Sequence, residues 1–177
     1  MKLVPLLLSV SLMAGASVAN ASVLFSNEWA AQACDAWNKD TTLTTGLVEN
    51  WIKNDNGHGH KVIHLYRTDC GNTYKSEMRI ALKDGKAMCV YGGAVQSKLE
   101  LDVDYLMHGD TKHWIEMGKG EYGPVKAMMF GRLKFQGPKV EAMKVMGPFT
   151  AFLELRRRRA FHESCIRPNP SWAQDPQ

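Results

Sequence analysis

The stretch from Lys126 to Met146, KAMMFGRLKFQGPKVEAMKVM, places one short strand between two methionine-bearing segments. Methionine is unbranched and flexible, so it fills irregular space without specifying a single packing arrangement. A rigid core would contain more Leu, Ile and Val. Two soft apolar faces beside one strand therefore indicate either ordinary core or a cavity that accepts flexible apolar guests.

Each methionine-bearing segment is predicted to be a helix. Pro124 starts the first, and Gly131 ends it. The second starts at Gly137-Pro138 and runs towards His162, with a break at Gly147-Pro148, because Pro lacks the amide hydrogen that the helix needs. Both helices must cover the same sheet face, so their apolar side chains form the candidate ligand site. These side chains are Val125, Met128, Met129, Val140, Met143, Met146, Phe149, Phe152 and Leu153.

Alternating apolar residues predict a sheet on the N-terminal side of these helices. Helical spacing predicts two earlier helices, at residues 27–37 and 47–52, and Asp84-Gly85 predicts a hairpin turn. The predicted strands are residues 61–68, 77–82, 87–91, 99–107 and 132–136. This order of elements indicates an α+β fold in which helices cover one sheet face and a crossover inserts the last strand.

The N-terminus has the pattern of a secretory signal peptide. Lys2 gives a short positive start, residues 3–18 are apolar, and Ala19-Asn20-Ala21 has the small residues of a cleavage site. The apolar run is short for a bilayer span, which needs about 20 residues. We therefore expect cleavage after Ala21 in a bacterial cell and a periplasmic or secreted mature protein. Residues 22–162 would then form a single domain, and residues 163–177 an extended tail.

The cysteines are even in number, and export would place them in an oxidising compartment, so we expect two disulfides. They are Cys34, Cys70, Cys89 and Cys165. If residues 71–72 and 84–85 are hairpin turns, Cys89 lies opposite Ile80, out of register with Cys70 and two strands away. This arrangement favours Cys34 and Cys165 each reaching one of the other two cysteines. Four free buried thiols are the alternative.

The formal net charge is +4, and removal of residues 1–21, whose only charge is Lys2, would leave +3. This mild excess does not by itself indicate a nucleic-acid partner. Much of it lies in one run of Arg156, Arg157, Arg158 and Arg159. The run is either a solvated helix end, where cations suit the helix dipole, or a patch that faces anionic lipid headgroups.

Residues from about 104 to 155 resemble the type-2 sterol carrier protein family. The matching pieces are YLMHGDTKHWIEMGKGE at residues 105–121 and GPVKAMMFGRLKFQGPKVEAMKVM at residues 123–146. Trp114, Gly118-Lys119-Gly120, Pro124, the segment at 131–137 and Ala142-Met143-Lys144 match in order and spacing. Further upstream, the hairpin region at residues 61–91 agrees in secondary structure more than in residues.

The resemblance implies a five-stranded mixed sheet covered by helices around a hydrophobic tunnel. It also implies a non-catalytic protein without a cofactor that binds sterols, fatty acids, acyl-CoA or phospholipids, with the last helix bordering the tunnel. Many relatives are intracellular, and some end in Ser-Lys-Leu, whereas this chain ends in Asp-Pro-Gln. An exported relative would not meet acyl-CoA. The alternative is a dimerisation or accessory module of the same fold, whose oligomeric state the sequence does not specify.

Signatures of enzymes and metal sites are scarce in the sequence. It contains no G-x-S-x-G elbow, no P-loop and no C-x-x-C motif. His58, His60 and His64 form the most metal-like cluster, but an ordered site normally needs further ligands, so we interpret this loop as polar and solvated. We therefore expect neither catalysis nor a bound metal, and a small hydrolase is the least favoured function.

Overall fold

A computed structural model of the chain describes residues 22–71, 75–155, 161–162 and 165. The predicted signal peptide, the four arginines at 156–159 and most of the tail lie outside these residues. The described helices are α1 (Asn27–Trp37), α2 (Thr41–Gly46), α3 (Thr111–Lys119), α4 (Pro124–Met129), α5 (Lys139–Lys144) and α6 (Met146–Glu154). The described strands are β1 (Ser22–Val23), β2 (His60–Arg67), β3 (Lys75–Lys83), β4 (Lys86–Ala94), β5 (Tyr105–Gly109), β6 (Lys134–Gln136) and β7 (Phe161–His162).

Five of these strands form one mixed sheet in the order β4-β3-β2-β5-β6. The neighbours β2 and β5 run parallel, and the other three pairs are antiparallel. A parallel pair needs a crossover, which here consists of β3, β4 and the segment that leads to β5. Strands β1 and β7 form a separate two-stranded parallel pair. The predicted α+β class with a five-stranded mixed sheet is confirmed.

The N-terminal helices begin where side chains cap them. Ser26 accepts a hydrogen bond from the backbone N–H of Trp29 at the start of α1, and Asp40 accepts one from Leu43 at the start of α2. Such caps satisfy backbone donors that have no partner inside the helix. A π-helix at Val48–Ile52 follows and buries Trp51 and Ile52.

The hairpin between β3 and β4 has the predicted turn. Asp84 and Gly85 both have positive φ, 51° and 72°, which is the conformation of the tight turns that suit twisted strands. Its register places Ile80 opposite Cys89, as predicted. The strands are longer than the sequence indicated, because both continue past a register shift between Arg79 and Ile80.

The predicted strand at residues 99–107 is wrong in its first half. Residues 101–103 form a turn, and β5 starts only at Tyr105. The buried Asp104 explains the difference, because its carboxylate accepts hydrogen bonds from the backbone N–H of Val62 at 2.7 Å and of Glu100 at 2.9 Å. A short polar side chain that bonds nearby backbone competes with a regular strand.

The predicted break at Gly147-Pro148 is also displaced. The chain leaves helical geometry at Val145, with φ −118° and ψ 30°, and α6 starts at Met146. Pro148 therefore lies in the first turn of α6, where its missing amide costs nothing. It packs against α2 so closely that a Cβ at Gly46 would lie 2.9 Å from its Cγ. Beyond α6, Phe161–His162 is a strand rather than the end of a helix.

Two disulfides connect distant parts of the chain. Cys34 of α1 pairs with Cys89 of β4, and Cys70, in a 3-10 turn after β2, pairs with Cys165. The prediction that Cys34 and Cys165 each reach one of the other two is therefore confirmed. Among the described residues, no helix is both long and apolar enough to cross a membrane.

Candidate functional site

Six of the nine predicted ligand-binding side chains lie in two separate places. Phe149 and Phe152 face an interior cavity between the sheet and the helices α2, α5 and α6. Four others line a surface groove between α4, β6 and α5. These four are Val125, Met128, Met129 and Met143.

The interior cavity is apolar and small, with a volume of about 30 Å³. Aromatic side chains from the N-terminal helices, the sheet and α6 form much of its wall. The lining residues are Trp37, Leu43, Leu47, Trp51, Ile63, Tyr105, Met107, Phe135, Ala142, Val145, Pro148, Phe149 and Phe152. Ligand pockets usually measure about 300–1,000 Å³, so this conformation has no room here for a lipid chain. The tunnel therefore stays a prediction.

The surface groove is much larger, with a volume of about 490 Å³, which falls in the range of ligand pockets. Methionines line it from both helices, as the sequence indicated. The rest of its wall consists of Val125, Gly131, Leu133, Lys134, Phe135, Lys139 and Ala142. Met129 is 74% exposed and Met143 51% exposed, so the groove presents flexible apolar side chains to solvent. Such a surface can adapt to apolar partners of different shape.

One wall separates the cavity from the groove. Phe135 of β6 and Ala142 of α5 line both spaces. The Phe135 ring is half-buried and lies 5.4 Å from Tyr105 and 6.3 Å from Phe149, measured between ring centroids. A rotation of this ring or a displacement of α5 would therefore join the two spaces.

The remaining predicted residues take other positions. Val140 points outward and is 75% exposed, beside a second surface depression. Met146 is half-buried and packs against the core, and Leu153 is buried in it. None of these three lines the cavity or the groove. The prediction that Arg156–Arg159 face a membrane lies outside the described residues.

A basic and apolar face lies on α4, β6 and α5, the elements that form the groove, and on Phe130 at the end of α4. Its exposed apolar residues are Val125, Met129, Phe130, Val140 and Met143. Its exposed cations are Lys126, Lys134, Lys139 and Lys144. The one acidic residue of α4 and α5 is Glu141, whose side chain is 11% exposed and pairs with an interior lysine. The outer side of these two helices therefore carries positive charge only.

The sequence reasoning missed that interior lysine. Lys61 of β2 is fully buried, and its Nζ lies 2.7 Å from Glu141 Oε1 and 3.0 Å from the carbonyl oxygen of Val103. The Tyr105 hydroxyl donates to the same Glu141 oxygen. Burial and the neighbouring carboxylate raise the pKa of the Tyr105 phenol, which keeps its proton for this hydrogen bond. The pair fixes α5 to the sheet across 80 residues of sequence.

The rings beside this ion pair belong to the cavity wall. Trp51 and Tyr105 both line the cavity, and Lys61 Nζ lies 5.5 Å from each ring centroid. A cation at this distance from an aromatic face is attracted to it. Nothing in the sequence marked this lysine as interior, because lysine is almost never fully buried unless it is paired, and its partner lies 80 residues away.

The histidines do not gather around one point. His64 is buried in β2, and its Nε2 lies 3.0 Å from Glu77 Oε2, whereas His58 lies in the loop before the strand, 3.6 Å from Glu100. In the described part of the chain, no group of three or more potential metal ligands occurs.

The family model of the SCP-2 sterol transfer family matches residues 56–150, which are 95 of the 177 residues. The chain belongs to this family. The matched range includes the sheet, the groove and the start of α6, whereas part of the cavity wall, Trp37, Leu43, Leu47, Trp51 and Phe152, lies outside it. A search of curated proteins finds no match.

Solved structures show the same fold. A crystal structure of sterol carrier protein 2 has 20% identity, covers 77% of this chain and 99% of its own, and has a TM-score of 0.55. The solution structure of the conserved hypothetical protein TT1886 from Thermus thermophilus has 19% identity, covers 82% and 99%, and has a TM-score of 0.50. At such low identity, the likeness extends to the fold of an SCP-2 domain and not to its ligand.

Proposed function

We propose that this SCP-2 domain is an exported, non-catalytic carrier that binds and transfers a hydrophobic ligand such as a fatty acid, a phospholipid or a sterol-like lipid. The observation that carries the proposal is the single wall of Phe135 and Ala142 between an apolar groove and an apolar cavity. Family membership supports lipid as the ligand class. The two disulfides are consistent with an oxidising compartment.

The mechanism of uptake is passive. An apolar tail enters the groove, and removal of its surface from water contributes about 25 cal/mol per Å². Phe135 then moves aside, and the tail extends between the sheet and α6. The helix break at Val145 is the hinge, because it lets α5 move while Pro148 keeps the start of α6 against α2.

The partner in transfer is an anionic membrane surface. The basic and apolar face places exposed methionine, valine and phenylalanine side chains on the same elements as four lysines, and Lys134 and Lys139 line the groove itself. Lysine near an anionic bilayer contributes about 1 kcal/mol of attraction, and exposed apolar side chains insert at the headgroup boundary. The run at Arg156–Arg159 would add to this attraction if it lies on the same side.

The test is uptake of a fluorescent fatty acid by the purified mature protein. Met143→Lys charges the groove, and Phe149→Asp charges the cavity wall, so both variants are expected to lose uptake. Val90→Lys, an exposed apolar residue on β4 at the opposite sheet edge, is the matched control and is expected to bind normally. Circular dichroism verifies that each variant is folded. Unchanged uptake in both folded site variants would overturn the proposal.

A further inference from the structure

The buried ion pair of Lys61 and Glu141 is not expected beside a purely apolar ligand site. A carrier of neutral lipids has no need for an ammonium group beside the aromatic rings of its cavity wall, and full burial of a charge is costly unless it is paired. Lys61 is paired here, but its partner sits on α5, the short helix that separates the cavity from the groove.

We propose that Lys61 and Tyr105 form a binding site for the carboxylate headgroup of an acidic lipid, and that the Glu141 side chain occupies this site when no ligand is bound. The inference rests on the proposed function. It deepens that function by naming the headgroup: a single anion on an aliphatic chain, as in a fatty acid.

The geometry of the site suits a carboxylate. Glu141 Oε1 accepts hydrogen bonds from both the Lys61 ammonium and the Tyr105 hydroxyl, and the site is shielded from water because Lys61 is fully buried. Charge-assisted bonds of this kind are stronger than neutral ones. A ligand carboxylate offers the same oxygen atoms, so it can replace Glu141 without leaving a buried charge unpaired.

The surroundings can accommodate both the released Glu141 side chain and the incoming ligand. Glu141 lines a surface depression of about 520 Å³, so the released carboxylate would face water there. Trp51 and Tyr105, the rings beside Lys61, line the cavity, so the aliphatic chain of a ligand bound at Lys61 would extend into it. Headgroup binding and release of α5 are therefore one event.

The exchange also predicts selectivity. A neutral ligand that displaces α5 leaves Lys61 buried without its counter-charge, whereas a carboxylate ligand restores that charge. Leaving one member of a buried charge pair without its partner typically weakens binding by at least about tenfold. A neutral ligand is therefore expected to bind at least about tenfold more weakly than a carboxylate ligand. Lys61 is thus a specificity-determining residue for acidic over neutral chains.

The experiment compares dodecanoate with dodecanol, two ligands that differ in the headgroup alone, by displacement of Nile red from the mature protein. Wild type is expected to bind dodecanoate at least about tenfold more tightly than dodecanol, and Glu141→Gln, which removes the carboxylate that either ligand must displace, is expected to bind both more tightly and to keep this preference. Asp35→Asn, an exposed carboxylate on α1 that lines neither the cavity, the groove nor the depression, is the control and is expected to change neither affinity.

A second variant keeps the test informative if Glu141→Gln does not fold. Lys61→Met/Glu141→Leu replaces the whole pair by apolar side chains, which proteins often tolerate. It is expected to bind the two ligands with similar affinity, because the headgroup site is gone. If the wild type binds the two ligands with equal affinity, if Glu141→Gln leaves dodecanoate affinity unchanged, or if the double variant keeps its preference for dodecanoate, the headgroup site is overturned while the carrier function stands. If the wild type binds neither ligand, the carrier function itself is overturned.

Discussion

The two edges of the sheet are built differently. At the β4 edge, α1 packs on the strands so closely that a Cβ at Gly92 would lie 2.2 Å from the carbonyl oxygen of Ala30, and the Cys34–Cys89 disulfide connects the same elements. At the β6 edge, three short helices cover the sheet with methionine and phenylalanine, and several of these side chains are exposed. One edge is therefore tightly packed, and the other is soft.

The difference shows where each part of the domain can change shape. Close packing, hydrogen bonds such as Trp37 Nε1 to the Ala87 carbonyl at 2.8 Å, and a disulfide all hold α1 in one position. The short helix α5 is held chiefly by one buried ion pair and by apolar contacts. Regions with few buried contacts open at lower free energy than the global unfolding transition, so the ligand is expected to enter at the soft edge.

The largest expected effect comes from a matched pair of truncations. Ile80→Ala removes a fully buried side chain beside β4 and is expected to lower the free energy of unfolding by about 3 kcal/mol. Met143→Ala, at an exposed groove position, is expected to change it by less than about 0.5 kcal/mol. Urea denaturation measures both. Equal losses would show that the two edges do not differ in packing.

The disulfide at the rigid edge offers the next test. Cys34→Ser/Cys89→Ser is expected to lower the free energy of unfolding by about 3 kcal/mol, because the unfolded chain regains the freedom of a long loop. Binding of a lipid probe below the unfolding transition is expected to stay normal, since neither cysteine lines the cavity or the groove. Weakened binding in the folded variant would show that the rigid edge also shapes the site.

A smaller effect is expected from the pH dependence of Glu77. Burial raises the pKa of its carboxyl, but hydrogen bonds from the backbone of Ser97 and Gln96 and from the His64 ring outweigh burial and lower it. Because the pKa of Glu77 is lower in the folded state, the ionised carboxylate stabilises the fold at pH values above the unfolded pKa of about 4.3. This contribution is lost as the pH falls through the folded pKa. Glu77→Gln is expected to cost about 2 kcal/mol at neutral pH.

The acid titration supplies the control for this prediction. The difference in unfolding free energy between wild type and Glu77→Gln is expected to shrink as the pH falls through the lowered pKa of folded Glu77, because the carboxyl then becomes neutral in both states. Lipid binding at neutral pH is expected to persist, since Glu77 serves the loop after β4 and not the groove. A difference that stays constant with pH contradicts the assignment.

We expect the smallest effect on stability at the basic and apolar face. There the two edges are expected to differ most clearly in vesicle binding. Met129→Ser at the soft edge is expected to weaken binding to vesicles of phosphatidylglycerol by about threefold, with less than about 0.5 kcal/mol of stability lost. Leu82→Ser, similarly exposed but on the β3–β4 hairpin, is expected to leave vesicle binding unchanged. Cosedimentation measures the vesicle binding of both variants. Equal losses of binding would show that the basic and apolar face does not mediate contact with the membrane.

Local patterns were sufficient for many elements. Helix α1, the Asp84-Gly85 hairpin and the register of Ile80 against Cys89 all follow from residues close together in the chain. The strand at residues 99–107 failed because alternation also occurs in a turn that Asp104 organises through Val62, a contact 42 residues away. Sequence periodicity contains no information about such a contact.

The candidate site was predicted in composition but not in arrangement. The methionines of α4 and α5 do face a common space, yet that space is a surface groove, and Met146 and Leu153 pack elsewhere. Which face of a short helix meets the sheet depends on how that helix is anchored. Here the anchor is the pairing of Glu141 with Lys61, and no local signal links these two residues.

By itself, the sequence determined the fold class, the soft apolar composition of the C-terminal helices and the cysteines available for pairing, because these depend on residue type and on neighbours within a few positions. Only the tertiary structure decided that Phe135 and Ala142 would divide one apolar region into cavity and groove, and that a buried lysine would meet a carboxylate 80 residues away. Such contacts arise from the packing of whole elements. The cost of burying the Lys61 charge requires a partner, but it does not specify which residue that partner is.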